Sequence, residues 1–424
     1  MTRVAITGIG AVTPLGNSFY ESWSAAKAGK TGLGPVTRFQ AAGFPWKIAG
    51  ELKGFDATAF LNRKETLRLD PFAQYAVAAS VMAAEDAGLI RVPEAGSRQY
   101  PITYPTRDYL SSGGVLIGSS RGGVSTLEEA LTVSRHAVPG PRLRRLSPYL
   151  MPSTTISMAA TYSAMKLGIK GHCLGISNAC ASGTNAIGEA FRLIKSGYKG
   201  PVLAGGADAP VCRLCLEGYG SSGALSEAAG IYASRPFDGS RDGFVLSEGA
   251  CVMVLENLDE ALKRGAAIYG EIAGYGSTND AFHQTRPDRA GEVRAMKDAI
   301  KEAGLDREEI DCISAHGTST PLGDRVESEA IEAVFGARGL TVPISAVKSM
   351  TGHMLAASGA LEAAFLAMSI REGVIPPTIN LTEKDKDCRI NVVTELLRAS
   401  PRAALSSSFG FGGVNAVLVI KGSY

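Results

Sequence analysis

The chain has 424 residues, of which 45% are hydrophobic and 20% charged, a composition typical of a globular protein with a sizeable core. Its formal net charge of +2 argues against nucleic acid as an obligatory partner. The seven cysteines are an odd number and do not form the paired CxxC motifs of a zinc site. No apolar stretch reaches the roughly 18 residues of a membrane span, so we expect a cytoplasmic protein without membrane insertion.

The predicted elements occur in the same order in both halves of the chain. A strand, a helix end and a second strand are predicted at 3–9, 83–89 and 115–118, and again at 268–274, 299–305 and 310–315. Each half then has a helix start containing Ala-Ser-Gly, at Ala181 and at Ala357. The pattern predicts an α/β fold made from a duplicated βα repeat, with residues 1–255 and 256–424 as the two halves of one compact unit.

Cys180 lies in the segment Ser-Asn-Ala-Cys-Ala-Ser-Gly (177–183), between a strand-like approach and a helical run over 184–194. At a helix start, unpaired backbone N–H groups and the helix dipole favour thiolate over thiol. The small neighbours would let an acyl group approach the sulfur closely. We therefore predict a nucleophile with a lowered pKa, and a merely buried free cysteine is the alternative.

Two later polar clusters supply partners for such a cysteine. His316 lies in Ala-His-Gly-Thr-Ser-Thr-Pro (315–321), and Lys348 and His353 lie in Val-Lys-Ser-Met-Thr-Gly-His (347–353). Each cluster follows a short apolar run that reads as a strand, and ligands of open α/β sheets gather at the carboxyl ends of strands. Either histidine alone is typical of a satisfied core residue, but together with Cys180 they predict a thioester-forming site.

The order and spacing of these motifs resemble the β-ketoacyl-acyl carrier protein synthases of types I and II, the condensing enzymes of dissociated fatty-acid synthesis. The resemblance covers nearly the whole chain, through the segments 4–16, 152–154, 179–183, 205–207, 234–245, 316–324, 348–353 and 409–415. It implies the thiolase-like fold with five layers, αβαβα. It also implies that Cys180, His316, Lys348 and His353 are the catalytic residues.

The implied reaction is acyl transfer to Cys180, then decarboxylative Claisen condensation with malonyl-acyl carrier protein to give a 3-oxoacyl-carrier protein and CO2. By resemblance, the backbone N–H groups of Cys180 and Phe411 hold the oxyanion, and Phe411 gates the site together with Phe409. The two histidines would hold the enolate oxygen.

The resemblance also implies supporting residues around these groups. Lys348 would position His316 and the carboxylates of Glu327 and Glu362, with Asp324 beside them; solvated ion pairs are the alternative for the two glutamates. The 4'-phosphopantetheine arm enters on the carrier protein, so we expect no bound cofactor and no metal. Its implied contacts are Thr285, Thr318 and Thr320.

Carrier proteins are acidic, so a basic docking rim is expected, with Arg63, Lys64 and Arg68 as candidates. Two departures from the family point to a specialised carrier: Leu67 stands where a basic residue is common, and Gly223 replaces an arginine.

The acyl pocket, assigned to Arg121 and Tyr219, holds a further departure. Arg121 stands where type II members place an apolar residue at the bottom of the pocket, near the dimer interface. A buried guanidinium needs a partner, so Arg121 either shortens the pocket or meets a polar group of an unusual acyl chain; an ion pair across the dimer is the alternative.

Several functional interpretations stay open. Fatty-acid elongation is favoured, and a ketosynthase of a type II polyketide or polyene pathway, paired or not with a chain-length-factor subunit, is the alternative. A non-catalytic partner subunit would lack the nucleophile, and a coenzyme A thiolase would need a second cysteine in a Gly-rich motif, whereas Cys388 lies outside one. The resemblance implies a homodimer, and a heterodimer stays open.

Overall fold

The computed structural model describes residues 2–91, 105–135 and 146–422. The strands, in chain order, are β1 (Val4–Val12), β2 (Gly34–Pro35), β3 (Ile48–Ala49), β4 (Gly114–Gly118), β5 (Cys173–Ile176), β6 (Val202–Asp208), β7 (Gly249–Asn257), β8 (Gly270–Asn279), β9 (Cys312–Ser314), β10 (Ile344–Ser345), β11 (Val374–Ile375), β12 (Leu397–Arg398), β13 (Ala403–Gly410) and β14 (Val414–Lys421). The helices are α1 (Phe19–Lys27), α2 (Arg63–Thr66), α3 (Pro71–Asp86), α4 (Arg107–Ser111), α5 (Val124–Arg135), α6 (Leu150–Thr154), α7 (Met158–Leu167), α8 (Ser182–Lys195), α9 (Arg213–Ser221), α10 (Leu258–Lys263), α11 (Arg289–Ala303), α12 (Pro321–Phe335), α13 (Lys348–Thr351) and α14 (Ala356–Glu372).

Ten strands form one sheet in the order β10-β9-β13-β14-β8-β1-β7-β6-β4-β5. A short antiparallel pairing of β1 with β8 joins two five-stranded halves. Within each half, the three outer strands run parallel and the next two pairings are antiparallel, so β5-β4-β6-β7-β1 matches β10-β9-β13-β14-β8 strand for strand. This topology confirms the predicted duplication, and the division at 255 and 256 stays a prediction.

The helices form three layers around the two sheet halves. Helices α8 and α14 pack against each other and contact strands of both halves, so they form the central layer. Helices α3 and α7 cover the outer face of the first half, whereas α11 and α12 cover that of the second. The order is therefore αβαβα, as predicted.

Local sequence signals explain the start, the end and the buried face of helix α11, whose first turn carries Glu292. Asp288 caps its start by accepting a hydrogen bond from the backbone N–H of Ala290 at 3.2 Å. Gly304 ends it in the left-handed conformation at φ +67°, which glycine adopts without steric cost. The buried positions Ala295, Met296 and Ala299 recur at helical spacing on the face that packs against the sheet.

Glycines let the central helices approach the sheet and each other closely. A Cβ atom on Gly183 would lie 2.1 Å from the carbonyl oxygen of Ala356, and one on Gly206 would lie 2.2 Å from the same oxygen. The starts of α8 and α14 therefore meet, which brings the nucleophile motif to the second half of the molecule. No helix in the described part of the chain is long and apolar enough to cross a lipid bilayer.

Candidate active site

Cys180 lies in a tight elbow between β5 and α8, two residues before the helix begins at Ser182. The preceding residue, Ala179, has φ +47°, a strained conformation for a residue with a side chain. The Ser182 hydroxyl stabilises the elbow, because it accepts from the backbone N–H of Asn178 at 2.8 Å and donates to the Ala179 carbonyl at 2.6 Å. The predicted helix-start position of the thiol is thus confirmed.

The three motifs converge on one point. His353 Nε2 lies 3.1 Å from Cys180 Sγ, and the rings of His316 and His353 meet edge to face with centroids 5.4 Å apart. The Cys180 sulfur and one ring nitrogen from each histidine all lie within 4.8 Å of one another. A nucleophile, a neighbouring imidazole and a second imidazole therefore share one small volume.

Lys348 lies behind His316 and is almost completely buried. Its ammonium donates to Glu362 Oε1 and to the His316 carbonyl, both at 2.6 Å, and lies 3.3 Å from His316 Nδ1. An ammonium can only donate, so Nδ1 of His316 accepts and its proton is on Nε2.

The tautomer of His353 follows from its contact with Ser358. The Ser358 hydroxyl oxygen accepts from the backbone N–H of Met354 at 2.9 Å and lies 3.3 Å from His353 Nδ1. We assign the hydroxyl proton to the contact with Nδ1, which places the imidazole proton on Nε2, facing Cys180. Both histidines can therefore serve as Nε2–H donors.

The charge state of the trio differs from the sequence prediction. Burial raises the pKa of the Cys180 thiol to about 11, although the Lys348 charge opposes this, so the predicted lowering is wrong. Burial and then the Lys348 charge hold the pKa values of His316 and His353 well below 6.5. The resting site therefore contains a neutral thiol beside two neutral imidazoles.

The acidic residues support the backbone of the His316 motif. Glu327 accepts from the backbone N–H groups of His316 at 2.7 Å and Gly317 at 2.8 Å, so it holds the loop rather than bonding Lys348. Asp324 accepts from the Ser319 backbone N–H at 3.0 Å and lies 3.4 Å from Arg241. Burial raises the pKa of Glu327 to about 7 and that of Asp324 to about 6.

A cavity of about 330 Å³ leads to the trio. His316 and His353 line it at buried positions and Cys180 at a half-buried one, whereas Thr285 and Arg286 line it at exposed positions and so mark its mouth. Its wall also includes Thr318 and Thr320, whose hydroxyls lie 3.0 Å apart, and the aromatic residues Phe409, Phe411 and Tyr219. The three threonines predicted to meet the arm thus share one cavity.

The loop after β13 closes one side of this cavity. The Phe411 backbone N–H faces the Cys180 sulfur, which is the position expected of an oxyanion donor. Gly412 and Gly413 follow at φ +86° and +71°, and these left-handed values favour glycine. The Phe409 ring packs against His316 at 5.9 Å between centroids.

Arg121 reaches the cavity only through Tyr219. Its Nε donates to the Tyr219 hydroxyl at 2.7 Å, and the guanidinium lies 5.1 Å from the ring centroid. Tyr219 lines the cavity, whereas Arg121 does not and is exposed in the single chain. The partner that the sequence required for Arg121 is thus a tyrosine of the same chain.

The basic docking candidates lie apart from the cavity. Arg63 and Lys64 are exposed on α2, and Arg68 follows shortly after it. The Arg68 guanidinium stacks 4.3 Å from the Tyr149 ring centroid. These side chains are free to meet a macromolecule but do not line the path to Cys180.

Two buried carboxyls near the site belong to no sequence motif and were not predicted. Asp208 accepts from the Ser119 hydroxyl at 2.8 Å and from the backbone N–H of Ala356 at 2.9 Å, so it ties α14 to the Arg121 loop. Glu292, on the first turn of α11, lines the cavity. The sequence feature that could have identified Glu292 is its spacing. It lies three and four residues before the buried Ala295 and Met296, which places it on the inward face of the helix.

Thioester formation at a cysteine, with two neutral imidazole donors at hand, is the chemistry of acyl-transferring condensing enzymes, and the fold and site assign the chain to that class. The family models agree. The description "Beta-ketoacyl synthase, N-terminal domain" matches residues 1–261, and "Beta-ketoacyl synthase, C-terminal domain" matches residues 269–382. The chain belongs to the β-ketoacyl synthase family.

Individual relatives extend this similarity over the full length. The chain is 43% identical to 3-oxoacyl-[acyl-carrier-protein] synthase 2 of Synechocystis, over 99% of this chain and 98% of that one. Among solved structures, the ishigamide ketosynthase/chain length factor is similar with a TM-score of 0.90 at 35% identity. A type II polyketide ketosynthase in complex with its acyl-carrier protein gives 0.87 at 31% identity. Both structural matches cover all of both chains.

Proposed function

We propose that the chain is a 3-oxoacyl-[acyl-carrier-protein] synthase that elongates fatty acyl chains with malonyl-carrier protein. The observation that carries this proposal is the 3.1 Å contact between Cys180 Sγ and His353 Nε2 at the buried end of a cavity open at Thr285. A relative named for this activity, similar over its whole length, supports it.

The first half-reaction is transfer of the acyl group to Cys180. The sulfur attacks the thioester carbonyl, the C–S bond to the carrier breaks, and the carrier leaves as a thiol. Because the resting thiol is neutral, its proton passes to the carrier sulfur as the C–S bond to the carrier breaks. The tetrahedral oxyanion is held by the backbone N–H groups of Cys180 and Phe411.

The second half-reaction consumes malonyl-carrier protein. Loss of CO2 leaves its electron pair in an enolate, whose oxygen takes hydrogen bonds from the Nε2–H groups of His316 and His353. Preorganised donors of this kind contribute about 3–4 kcal/mol each to transition-state stabilisation. The enolate carbon attacks the acyl-Cys180 carbonyl, the cysteine sulfur leaves as a thiolate as the 3-oxoacyl product forms, and a proton from solvent restores the neutral thiol.

Lys348 positions these donors. By bonding Nδ1 of His316 it fixes the tautomer, and its charge keeps both imidazoles neutral, so each can donate from Nε2 while its Nδ1 accepts. Glu362 balances the buried charge, and Glu327 and Asp324 hold the loop that carries His316.

The partner is an acyl carrier protein whose 4'-phosphopantetheine arm enters the cavity, so no separate cofactor is needed. Thr285, Thr318 and Thr320 contact the arm, and Arg63, Lys64 and Arg68 form the docking rim. The protein acts in the cytoplasm as a homodimer. A partner strand would pair with the edge strand β5, where Leu174 is 42% exposed.

A second candidate is a ketosynthase of a type II polyketide or polyene pathway, with a chain-length-factor subunit in place of the second copy. The Arg121–Tyr219 hydrogen bond favours this second candidate. It places a polar group behind one wall of the cavity, and an ordinary saturated acyl chain does not need such a group. The similarity to the ishigamide ketosynthase/chain length factor supports it as well.

Intact mass spectrometry tests the proposal. Wild type and Cys180→Ala are incubated with acyl-carrier thioesters of graded length, and malonyl-carrier protein is then added. We expect an acyl adduct on wild type alone, converted to a 3-oxoacyl-carrier product. An adduct that persists in Cys180→Ala, or none with any donor, would contradict the proposal, and turnover only after addition of a second subunit would favour the polyketide alternative.

A further inference from the structure

One carboxyl in the cavity wall lacks a bonding partner. The Glu292 side chain is 1% exposed, and its Oε2 has no hydrogen-bond partner among the described residues. Of the buried polar side-chain atoms without a partner in the described ranges, this is the one that belongs to a residue lining the cavity. A buried carboxyl in this state costs folding free energy, so its retention points to a ligand that completes its bonding.

The other carboxyls of the described wall, Asp280 and Glu327, already have hydrogen-bond donors within the protein. Asp280 accepts from the Asn415 amide at 2.6 Å and from the Asp288 backbone N–H at 2.9 Å. Glu327 accepts two backbone N–H groups, and the hydroxyls of Thr318 and Thr320 bond each other. Glu292 is therefore the carboxyl of this wall with unused bonding capacity.

The surroundings of Glu292 keep it uncharged. Burial raises its pKa well above the usual range, and the carboxyls of Glu327 and Glu329 on α12 and of Asp280 and Asp288 before α11 act in the same direction. A neutral carboxyl offers one O–H donor and retains acceptor oxygens. The neutral Glu292 carboxyl therefore suits a neutral ligand that carries both hydrogen-bond donors and acceptors, and it does not suit a cation.

We infer that Glu292 binds the amide-bearing and hydroxyl-bearing arm of the thioester substrates, as a specificity residue that donates to one arm oxygen and accepts from an arm N–H or O–H. The inference rests on the proposed function, since that function brings a pantetheine arm through this cavity. The arm carries two secondary amides and a hydroxyl, which match a neutral carboxyl in donors and acceptors. The same arm delivers both the acyl and the malonyl group, so Glu292 acts in both half-reactions.

The test compares Glu292→Leu, which keeps the volume without polar atoms, with Glu292→Gln, which keeps a donor and an acceptor. For each protein we would measure kcat/KM for acyl transfer from acyl-carrier protein, kcat/KM for malonyl-carrier decarboxylation, and the thermal midpoint. In Glu292→Leu we expect both kcat/KM values to fall by the same factor, about fivefold, with the midpoint unchanged or higher. Glu292→Gln should stay close to wild type.

Two controls separate this result from damage to the site. Glu329→Leu changes an exposed carboxyl of α12 and should match wild type. Iodoacetamide carries no arm, so Cys180 should be alkylated at the same rate in wild type and Glu292→Leu. A wild type that transfers no acyl group at all would instead defeat the proposed function.

Four outcomes would overturn the inference. They are unchanged kinetics in Glu292→Leu, a loss confined to the malonyl step, a loss in both steps with a lower thermal midpoint, and a loss in Glu292→Gln equal to that in Glu292→Leu.

Discussion

Lys348 Nζ and Glu362 Oε1 lie 2.6 Å apart, and each side chain is only 1% exposed. This ion pair affects both the stability of the fold and catalysis, because the same ammonium also bonds His316. Its energetics are asymmetric. Breaking a buried pair by removing one partner is costly, whereas replacing both partners with apolar groups is often neutral.

We therefore expect Lys348→Met to lower the free energy of unfolding by about 3–5 kcal/mol, because it leaves the Glu362 carboxyl buried without its partner. The double variant Lys348→Met/Glu362→Leu should recover most of that loss. It should not recover malonyl decarboxylation, because His316 then lacks the donor that fixes its tautomer. Denaturant unfolding and CO2 release measure the two effects. Equal stability of the single and double variants would contradict a coupled pair.

The Cys180 thiol should react slowly with alkylating agents at neutral pH. Its pKa of about 11 lies above the ordinary value for cysteine, so the thiolate fraction is smaller than in a free thiol and rises only at high pH. The rate of iodoacetamide labelling, followed by intact mass from pH 7 to pH 10, should increase about tenfold per pH unit without a plateau. Cys180→Ala gives the background from the other cysteines. A plateau by pH 8 would show that the helix start outweighs burial.

The two histidines should stay functional in mildly acidic solution. Their pKa values lie well below 6.5, so the neutral form that can both accept from its orienting neighbour and donate from Nε2 persists as the pH falls. Malonyl decarboxylation by the acyl-enzyme should therefore be flat from pH 8 to about pH 6, where an ordinary imidazole would already be mostly protonated. A rate that falls to half its maximum near pH 6.5 would contradict neutral donors.

The sequence predicted the convergence of Cys180, His316, Lys348 and His353, because each motif follows a short strand and strand ends of one sheet edge lie close together. The duplicated topology was predictable for a related reason, since both halves repeat the same order of hydrophobic runs. The resemblance to a family supplied the roles, which spacing alone left open.

Burial and long-range partners could not be read from the sequence. The helix start at Cys180 argued for a lowered pKa, but desolvation depends on how completely the surrounding loops cover the sulfur, and it dominates. Glu292 belongs to no motif, and the unpartnered state of its Oε2 depends on neighbours that come from distant segments of the chain. The partner of Arg121 lies 98 residues along the chain, at Tyr219.

Chain-length preference should depend on the Arg121–Tyr219 hydrogen bond. The 2.7 Å contact fixes the Tyr219 ring in the cavity wall and places a guanidinium directly behind it. Arg121→Ile removes the charge and frees the ring. The kcat/KM for longer saturated acyl chains should therefore rise, by up to about fourfold for each additional methylene that becomes buried. Tyr219→Phe is the matched control, because it removes the hydrogen bond and keeps the ring. Competition between acyl-carrier proteins of graded length measures the preference, and an unchanged preference in Arg121→Ile would rule out a role for Arg121 in selecting the acyl chain.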